Sequence, residues 1–247
     1  MNSQAEIIAH RGGKWPGMSE NTLGAFTAAH RAGVRWMETD VHASADGILF
    51  AAHDADLDRI ADRPHHIRDL TATELDSVEL LAGGHLPRLS ALLESIPEAA
   101  WNIDVKAARS IAPMVRFVRS LNAEGRIRLA SFSSSTLRSL RQALPGVRTS
   151  AGVLESALFA AGGLPGVAES GPCPLPVGLD SLQVPMSFKG VPVITEDFVS
   201  RAHRSGLAVH VWTINAPASM RVLLDLDVDG IVTDDVPAGL RELAVRT

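Results

Sequence analysis

The chain has 247 residues, a formal net charge of −5, 46% hydrophobic residues and a single cysteine, Cys173. That length suits one domain with a sizeable core, the lone cysteine excludes an internal disulfide framework or a thiolate zinc cluster within one chain, and the dispersed Lys and Arg leave no nucleic-acid footprint. No window approaches the roughly 18–20 apolar residues of a membrane-spanning helix, and Met1-Asn2-Ser3-Gln4-Ala5-Glu6 is not a basic segment followed by an apolar one, so a cytoplasmic location without a membrane anchor is expected.

In chain order, Ile7-Ile8-Ala9 reads as a short buried strand stopped by Gly12-Gly13, which places His10 and Arg11 at its carboxyl end. Ser19 reads as the N-cap of a helix carrying Leu23, Phe26 and Ala29 at helical spacing and stopped by Gly33. Glu20 and Asn21 at its start either cap the helix or brace the residues around His10. Trp36–Val41 is a second strand, and the period of two puts Glu38 and Asp40 on one face. Two anions pointing together repel unless a cation or protons compensate them; a hard divalent ion, Mg²⁺ or Ca²⁺ with Mn²⁺ also admitted, is the economical explanation. Asp46-Gly47 signals a hairpin, and the return run Ile48–Ala52 brings His53 back towards Glu38 and Asp40.

Leu86–Ile96 then shows helical spacing, and Trp101–Val105 is the next strand, with Asp104 and Lys106 two apart at its carboxyl end. Helix Ile111–Leu121 precedes strand Ile127–Phe132, helix Ser135–Ala143 precedes strand Val147–Leu154, and strand Ser181–Pro185 follows the Gly/Pro-rich stretch 162–178, read as pocket wall, lid or plain connection. Helix Glu196–Ser205 precedes strand Ala208–Ile214, helix Ala218–Leu226 precedes strand Gly230–Thr233, and a last helix runs from Pro237. Strands and helices alternating in this number imply a parallel sheet closed as one (β/α)₈ TIM barrel, residues 1–247, with a β-hairpin after strand 2. Cys173, between two prolines, reads as an inert loop thiol. His30, His42, His85, His203 and His210 show no ligand spacing and are expected at the surface or rim; His65-His66 reads as a surface pair.

His10-Arg11-Gly12, Glu20-Asn21-Thr22, Glu38-x-Asp40, Asp46-Gly47 and His53-Asp54 together resemble the glycerophosphodiester phosphodiesterase family. The blocks Asn102-Ile103-Asp104-Val105-Lys106, Val211-Trp212-Thr213-Ile214-Asn215 and Gly230-Ile231-Val232-Thr233-Asp234 continue the likeness over nearly the whole chain. The resemblance implies metal-dependent hydrolysis of glycerophosphodiesters such as glycerophosphocholine or glycerophosphoethanolamine to an alcohol and sn-glycerol 3-phosphate. It implies acid/base roles for His10 and His53, substrate contacts by Arg11, Lys106 and Trp212, metal ligation by Glu38, Asp40 and Asp104, and a short insertion over residues 54–88. The family more often has Glu where this chain has Asp104. Two alternatives remain: a lipid phosphodiesterase of the lysophospholipase D or sphingomyelinase D type, which would need an apolar access surface, and a non-catalytic barrel binding a phosphorylated ligand. No feature of the sequence specifies the oligomeric state.

Overall fold

The strand β1 (Glu6–His10) is hydrogen-bonded in parallel on both of its edges, and that double pairing closes the sheet. The computed structural model describes residues 5–121, 124–162 and 176–246. After β1 come α1 (Leu23–Arg31), β2 (Trp36–Ala43), β3 (Leu49–Ala51), β4 (Asp56–Leu57), α2 (Asp58–Ala61), β5 (Arg63–His66), α3 (Ala72–Asp76) and α4 (Leu89–Ser95). The chain continues through β6 (Ala100–Val105), α5 (Ile111–Leu121), β7 (Ile127–Ala130), α6 (Ser134–Ala143), β8 (Arg148–Ser150), α7 (Val153–Ala160) and β9 (Leu179–Pro185). It ends with the hairpin β10 (Ser187–Phe188) and β11 (Val191–Pro192), then α8 (Glu196–Arg204), β12 (Ala208–Trp212), α9 (Pro217–Asp225), β13 (Gly230–Thr233) and α10 (Val236–Ala244). Around the ring the order is β1-β13-β12-β9-β8-β7-β6-β2, with β2 pairing back onto β1. This is the expected eight-stranded parallel barrel, and β3 returns antiparallel on β2 as the predicted hairpin.

The period of two decides which residues meet the helices. Ile7, Ala9, Met37, Val41, Trp101, Ile103, Val105 and Leu129 face outward and join the main core under the helices. Phe26 of α1 meets Trp101 edge to face at 5.0 Å between ring centroids, and each such buried aromatic stabilises the fold by about 1.5–3 kcal/mol. The alternate positions fill the barrel. Ile8, Trp36, Ala100 and Val232 form a small apolar cluster there, while Glu38, Asp40, Asn102, Asp104, Arg128 and His210 are buried polar residues that need partners.

Three local readings are corrected. The N-cap of α1 is Thr22, not Ser19: its hydroxyl accepts from Ala25 N–H, because Asn21 takes a left-handed φ of 56° that a helix cannot continue through. The fifth barrel strand stops at Ser150, and Val153-Leu154 begin a helix whose single buried residue is Phe159, so it carries no amphipathic stripe for sequence to show. His210 is 4% exposed, inside the barrel rather than at a rim. The 54–88 insertion is built from short elements over its own satellite core of Phe50, Leu57, Ile67, Leu75, Val78 and Leu80. Most of the 162–178 stretch, together with Cys173, lies outside the described residues. No helix of the described residues is long and apolar enough to cross a membrane.

Candidate active site

Functional groups of a closed parallel barrel gather at the carboxyl ends of its strands, and register brings them into line here. His10 is paired with Glu38, Glu38 with Asn102, and Asp40 with Asp104 across β1, β2 and β6. A cleft of about 770 Å³ opens above them, lined by His10, Arg11, Glu38, Asp40, His53, Asp104, Lys106 and Trp212 among others. All eight residues singled out in the sequence therefore meet in one cavity.

The turn after β1 is strained. Arg11 has φ of 52°, followed by Gly12 at 87° and Gly13 at 81°, and a Cβ on Gly12 would stand 2.9 Å from Ala25 Cβ. A non-glycine residue held left-handed costs of order 1–3 kcal/mol, and such strain gathers at functional sites. Its result is visible: Arg11 N–H reaches Glu38 Oε2 at 3.1 Å, and the Arg11 guanidinium is aimed back over Asp40, Nε to Oδ2, at 3.1 Å.

The two imidazoles are held alike. His10 Nδ1–H donates to Asp234 Oδ1 at 2.7 Å, and His53 Nδ1–H donates to Asp54 Oδ1 at 2.7 Å. Burial alone would raise Asp234, but hydrogen bonds from His10 and Asn215, the His10 charge and Lys14 hold its carboxyl well below the usual carboxylate range. Asp54 is likewise lowered, its burial outweighed by His53 and Arg59. Ionised carboxylates only accept, so each Nδ1 carries the proton and each Nε2 is left for the cleft. His10 Nε2 lies 3.9 Å from Glu38 Oε2. Asn215 clamps Asp234 from both sides, its Nδ2 donating to Oδ2 at 2.9 Å and its Oδ1 accepting from Asp234 N–H at 2.9 Å. His42, half-buried rather than on the surface, donates Nε2–H to His53 O at 3.1 Å.

In the same cleft, Lys106 Nζ sits 2.7 Å from Asp40 Oδ1 and 2.8 Å from Asp104 Oδ2. Burial would lower this ammonium, yet Asp40 and Asp104 raise it overall, so it stays charged. Glu38 is pushed well up by burial and then by Asp40 and Asp104, and Asp104 is raised by burial, with Lys106 opposing. Anionic charge is thus in surplus.

The expected metal ligands share the cleft without closing round one point: among the described residues, no three His, Cys, Asp or Glu side chains form a ready cage. Their chemistry nonetheless fits a hard divalent cation. All donors are carboxylate oxygens, and Asp104 Oδ1 is buried without a hydrogen-bond partner, as is Asp40 Oδ2, which the Arg11 guanidinium meets as an ion pair only.

Trp212 lines the cleft and meets Phe132 edge to face at 5.7 Å, so it belongs to the pocket rather than to the core under the helices. Of the two readings of Glu20, bracing prevails: its Oε1 accepts from Arg11 Nη1 at 3.1 Å and from Arg59 Nη2 at 2.6 Å. Sequence reasoning passed over Arg59 and gave Asp54, Asp234 and Asn215 no role. A carboxylate one residue from His53, and an Asp and Asn ending strand blocks, were signals available for the last three.

The sequence model of the glycerophosphoryl diester phosphodiesterase family matches residues 10–238. The chain is 37% identical to a probable glycerophosphodiester phosphodiesterase 2 of Mycobacterium tuberculosis, over 92% of this chain and 86% of that one. Its fold is similar to the crystal structure of a Thermotoga maritima glycerophosphodiester phosphodiesterase, with TM-score 0.75 and 26% identity over 100% and 99% of the two chains. An Oleispira antarctica phosphodiesterase solved with the product sn-glycerol-3-phosphate shares the fold at TM-score 0.75 and 22% identity, covering 98% of this chain and 97% of that one. With a family match across nearly its whole length and a closed eight-stranded barrel carrying the site at its carboxyl rim, the chain belongs to the glycerophosphoryl diester phosphodiesterase family, a family of hydrolases.

Proposed function

We propose that the protein hydrolyses soluble glycerophosphodiesters such as glycerophosphocholine and glycerophosphoethanolamine to the free alcohol and sn-glycerol 3-phosphate. The observation that carries this reading is that two aspartate-held imidazoles line one cleft together with two cations, Arg11 and Lys106. Phosphodiester hydrolysis needs charge neutralised on the non-bridging oxygens, a base for the nucleophile and an acid for the leaving alkoxide. Arg11 and Lys106 supply the first. One Nε2 of the His10/His53 pair removes the proton of the attacking hydroxyl, and the other gives a proton to the departing oxygen. The attacking group is water or the hydroxyl of glycerol next to its phosphate, which would form a cyclic phosphate before water opens it.

Glu38, Asp40 and Asp104 would hold one divalent cation, Mg²⁺, Ca²⁺ or Mn²⁺, whose contribution is Lewis-acid stabilisation of phosphoryl charge. Trp212 and Phe132 wall the cleft where the substrate's carbon skeleton passes.

A second reading draws on the apolar wing of the same cleft. Phe132, Val153 and Phe188 line it while remaining 56%, 57% and 62% exposed, and Leu154 and Val191 lie exposed beside them. This is the apolar access surface that a lysophospholipid chain requires. Release of glycerol 3-phosphate from glycerophosphocholine, with EDTA and after metal restoration, run beside release of choline from lysophosphatidylcholine, separates the two. Metal-dependent turnover of the soluble diester supports the first reading; turnover of the lysolipid alone replaces it with the second. No turnover of either sinks both.

A further inference from the structure

Arg59 stands outside the cleft, on the first turn of α2, with its side chain 51% exposed. An isolated exposed ion pair there would contribute little. Its partners make it different. Arg59 Nε donates to Asp54 Oδ2 at 2.6 Å, and the other oxygen of that carboxylate holds His53 Nδ1–H at 2.7 Å. Arg59 Nη2 donates to Glu20 Oε1 at 2.6 Å, and the same oxygen accepts from Arg11 Nη1 at 3.1 Å. One planar guanidinium therefore joins the carboxylate that orients an imidazole to the carboxylate that orients the phosphate-facing arginine. The bridge spans 39 positions of sequence between the insertion and the α1 loop.

The carrier of Arg59 is itself fixed. Leu57 before it and Ala61 after it are buried in the satellite core, and α2 ends at Asp62 in a left-handed conformation. The barrel holds His53 by its backbone, the carbonyl accepting from His42 Nε2–H at 3.1 Å, whereas the imidazole, following β3 on the way into the insertion, is 37% exposed. Of the contacts on its ring, the Asp54 hydrogen bond sets the tautomer, and Asp54 is in turn oriented by Arg59.

We propose that Arg59 is a positioning residue for phosphodiester hydrolysis, locking the His53–Asp54 pair of the insertion to the Glu20–Arg11 clamp of the barrel so that acid/base and phosphate-binding groups keep a fixed separation. This rests on the proposed role of His53 in proton transfer. The fork geometry matters: a Lys offers a point charge in place of two diverging N–H donors, so it cannot serve both carboxylates equally.

The test combines kinetics with a readout independent of turnover. In Arg59→Ala, kcat should fall roughly tenfold to a hundredfold, the usual loss on removing an outer partner of a site residue, while the melting temperature stays close to wild type because the side chain is half exposed. Arg59→Lys should recover only part of that loss, and millimolar guanidinium should restore activity to Arg59→Ala but not to Arg59→Ala/Asp54→Asn. The loss in His53→Ala/Arg59→Ala should be smaller than the two single losses multiplied together, because the part of the Arg59 effect carried by His53 is already gone. In ¹⁵N-histidine spectra, the hydrogen-bonded Nδ1–H of His53 should be lost or broadened in Arg59→Ala while that of His10 persists. Unchanged kcat in Arg59→Ala, additive losses with His53→Ala, or an unaltered His53 signal would overturn the proposal. If wild-type protein turns over no phosphodiester, the spectra still decide the positioning, and the function alone falls.

Discussion

The two histidines are held by the same chemistry on very different scaffolds. His10 ends a barrel strand, and its aspartate ends the neighbouring one, so their 2.7 Å hydrogen bond follows from parallel register. His53 and Asp54 lie where the chain leaves the barrel, His53 tied to β2 by its carbonyl and Asp54 bonded by the exposed Arg59 beside the satellite core. A barrel supplies rigid positions at strand ends; the insertion supplies a residue that must be tied back to them. The barrel half is thus expected to be sensitive to buried charge, and the insertion half to local opening.

Lys106→Met gives the largest expected effect. It leaves Asp40 and Asp104 facing each other without the ammonium that now sits within 2.8 Å of both. Uncompensated buried charge costs about 3–5 kcal/mol, so the metal-free variant should melt well below wild type and lose activity by roughly 10³ or more. A variant with wild-type melting and turnover would remove the buried-charge picture of the barrel half.

Replacing the orienting carboxylates comes next. Asp234→Asn and Asp54→Asn should each lower kcat by roughly 10² or more, as when a triad carboxylate is lost. Both carboxyls are held below their usual range, Asp234 further than Asp54, so each Asn variant should lose stability above about pH 4, Asp234→Asn the more, and the difference from wild type should fade as pH falls towards the folded value. Thermal melts between pH 3 and 7 compare the two.

Leu57→Ala probes the insertion alone. Leu57 is fully buried, and the truncation should cost about 2–5 kcal/mol, released as early hydrogen exchange in residues 54–80 while the barrel strands stay protected. Equal loss of protection in both would show one cooperative unit instead of two.

The smallest effect concerns His210. Burial, then the charges of Arg128 and Arg148, hold it well below 6.5, so the fold keeps it neutral while the unfolded chain takes up a proton near that pH. Stability should fall as pH drops below about 6.5, by at most about 1.4 kcal/mol per pH unit from this group. His210→Gln should flatten that slope in denaturant melts; an unchanged slope would assign it to other groups.

The barrel half is legible in sequence because period-two alternation reaches it undiluted. Ile7/Ala9 against His10, Met37/Val41 against Glu38/Asp40, and Ile103/Val105 against Asp104 each announce an outer and an inner face. Alternation does not reveal how dry the inner face is, and that is why His210, polar among Ala208, Val209 and Val211, reads as rim yet lies buried beside Gln183, at 3.4 Å. The insertion is illegible for a different reason. Its elements run only two to five residues, too short for any period to repeat, and its decisive contact joins Arg59 to Glu20 through side chains far apart in sequence. The α7 helix escapes notice because only Phe159 on it is buried.

The most direct single measurement is kcat for glycerol 3-phosphate release from glycerophosphocholine by metal-replete wild type, His10→Ala and His53→Ala, with folding verified for each. Proton transfer by both imidazoles predicts a loss of roughly 10² or more in each variant. Turnover within a few-fold of wild type in either one would contradict a two-histidine site.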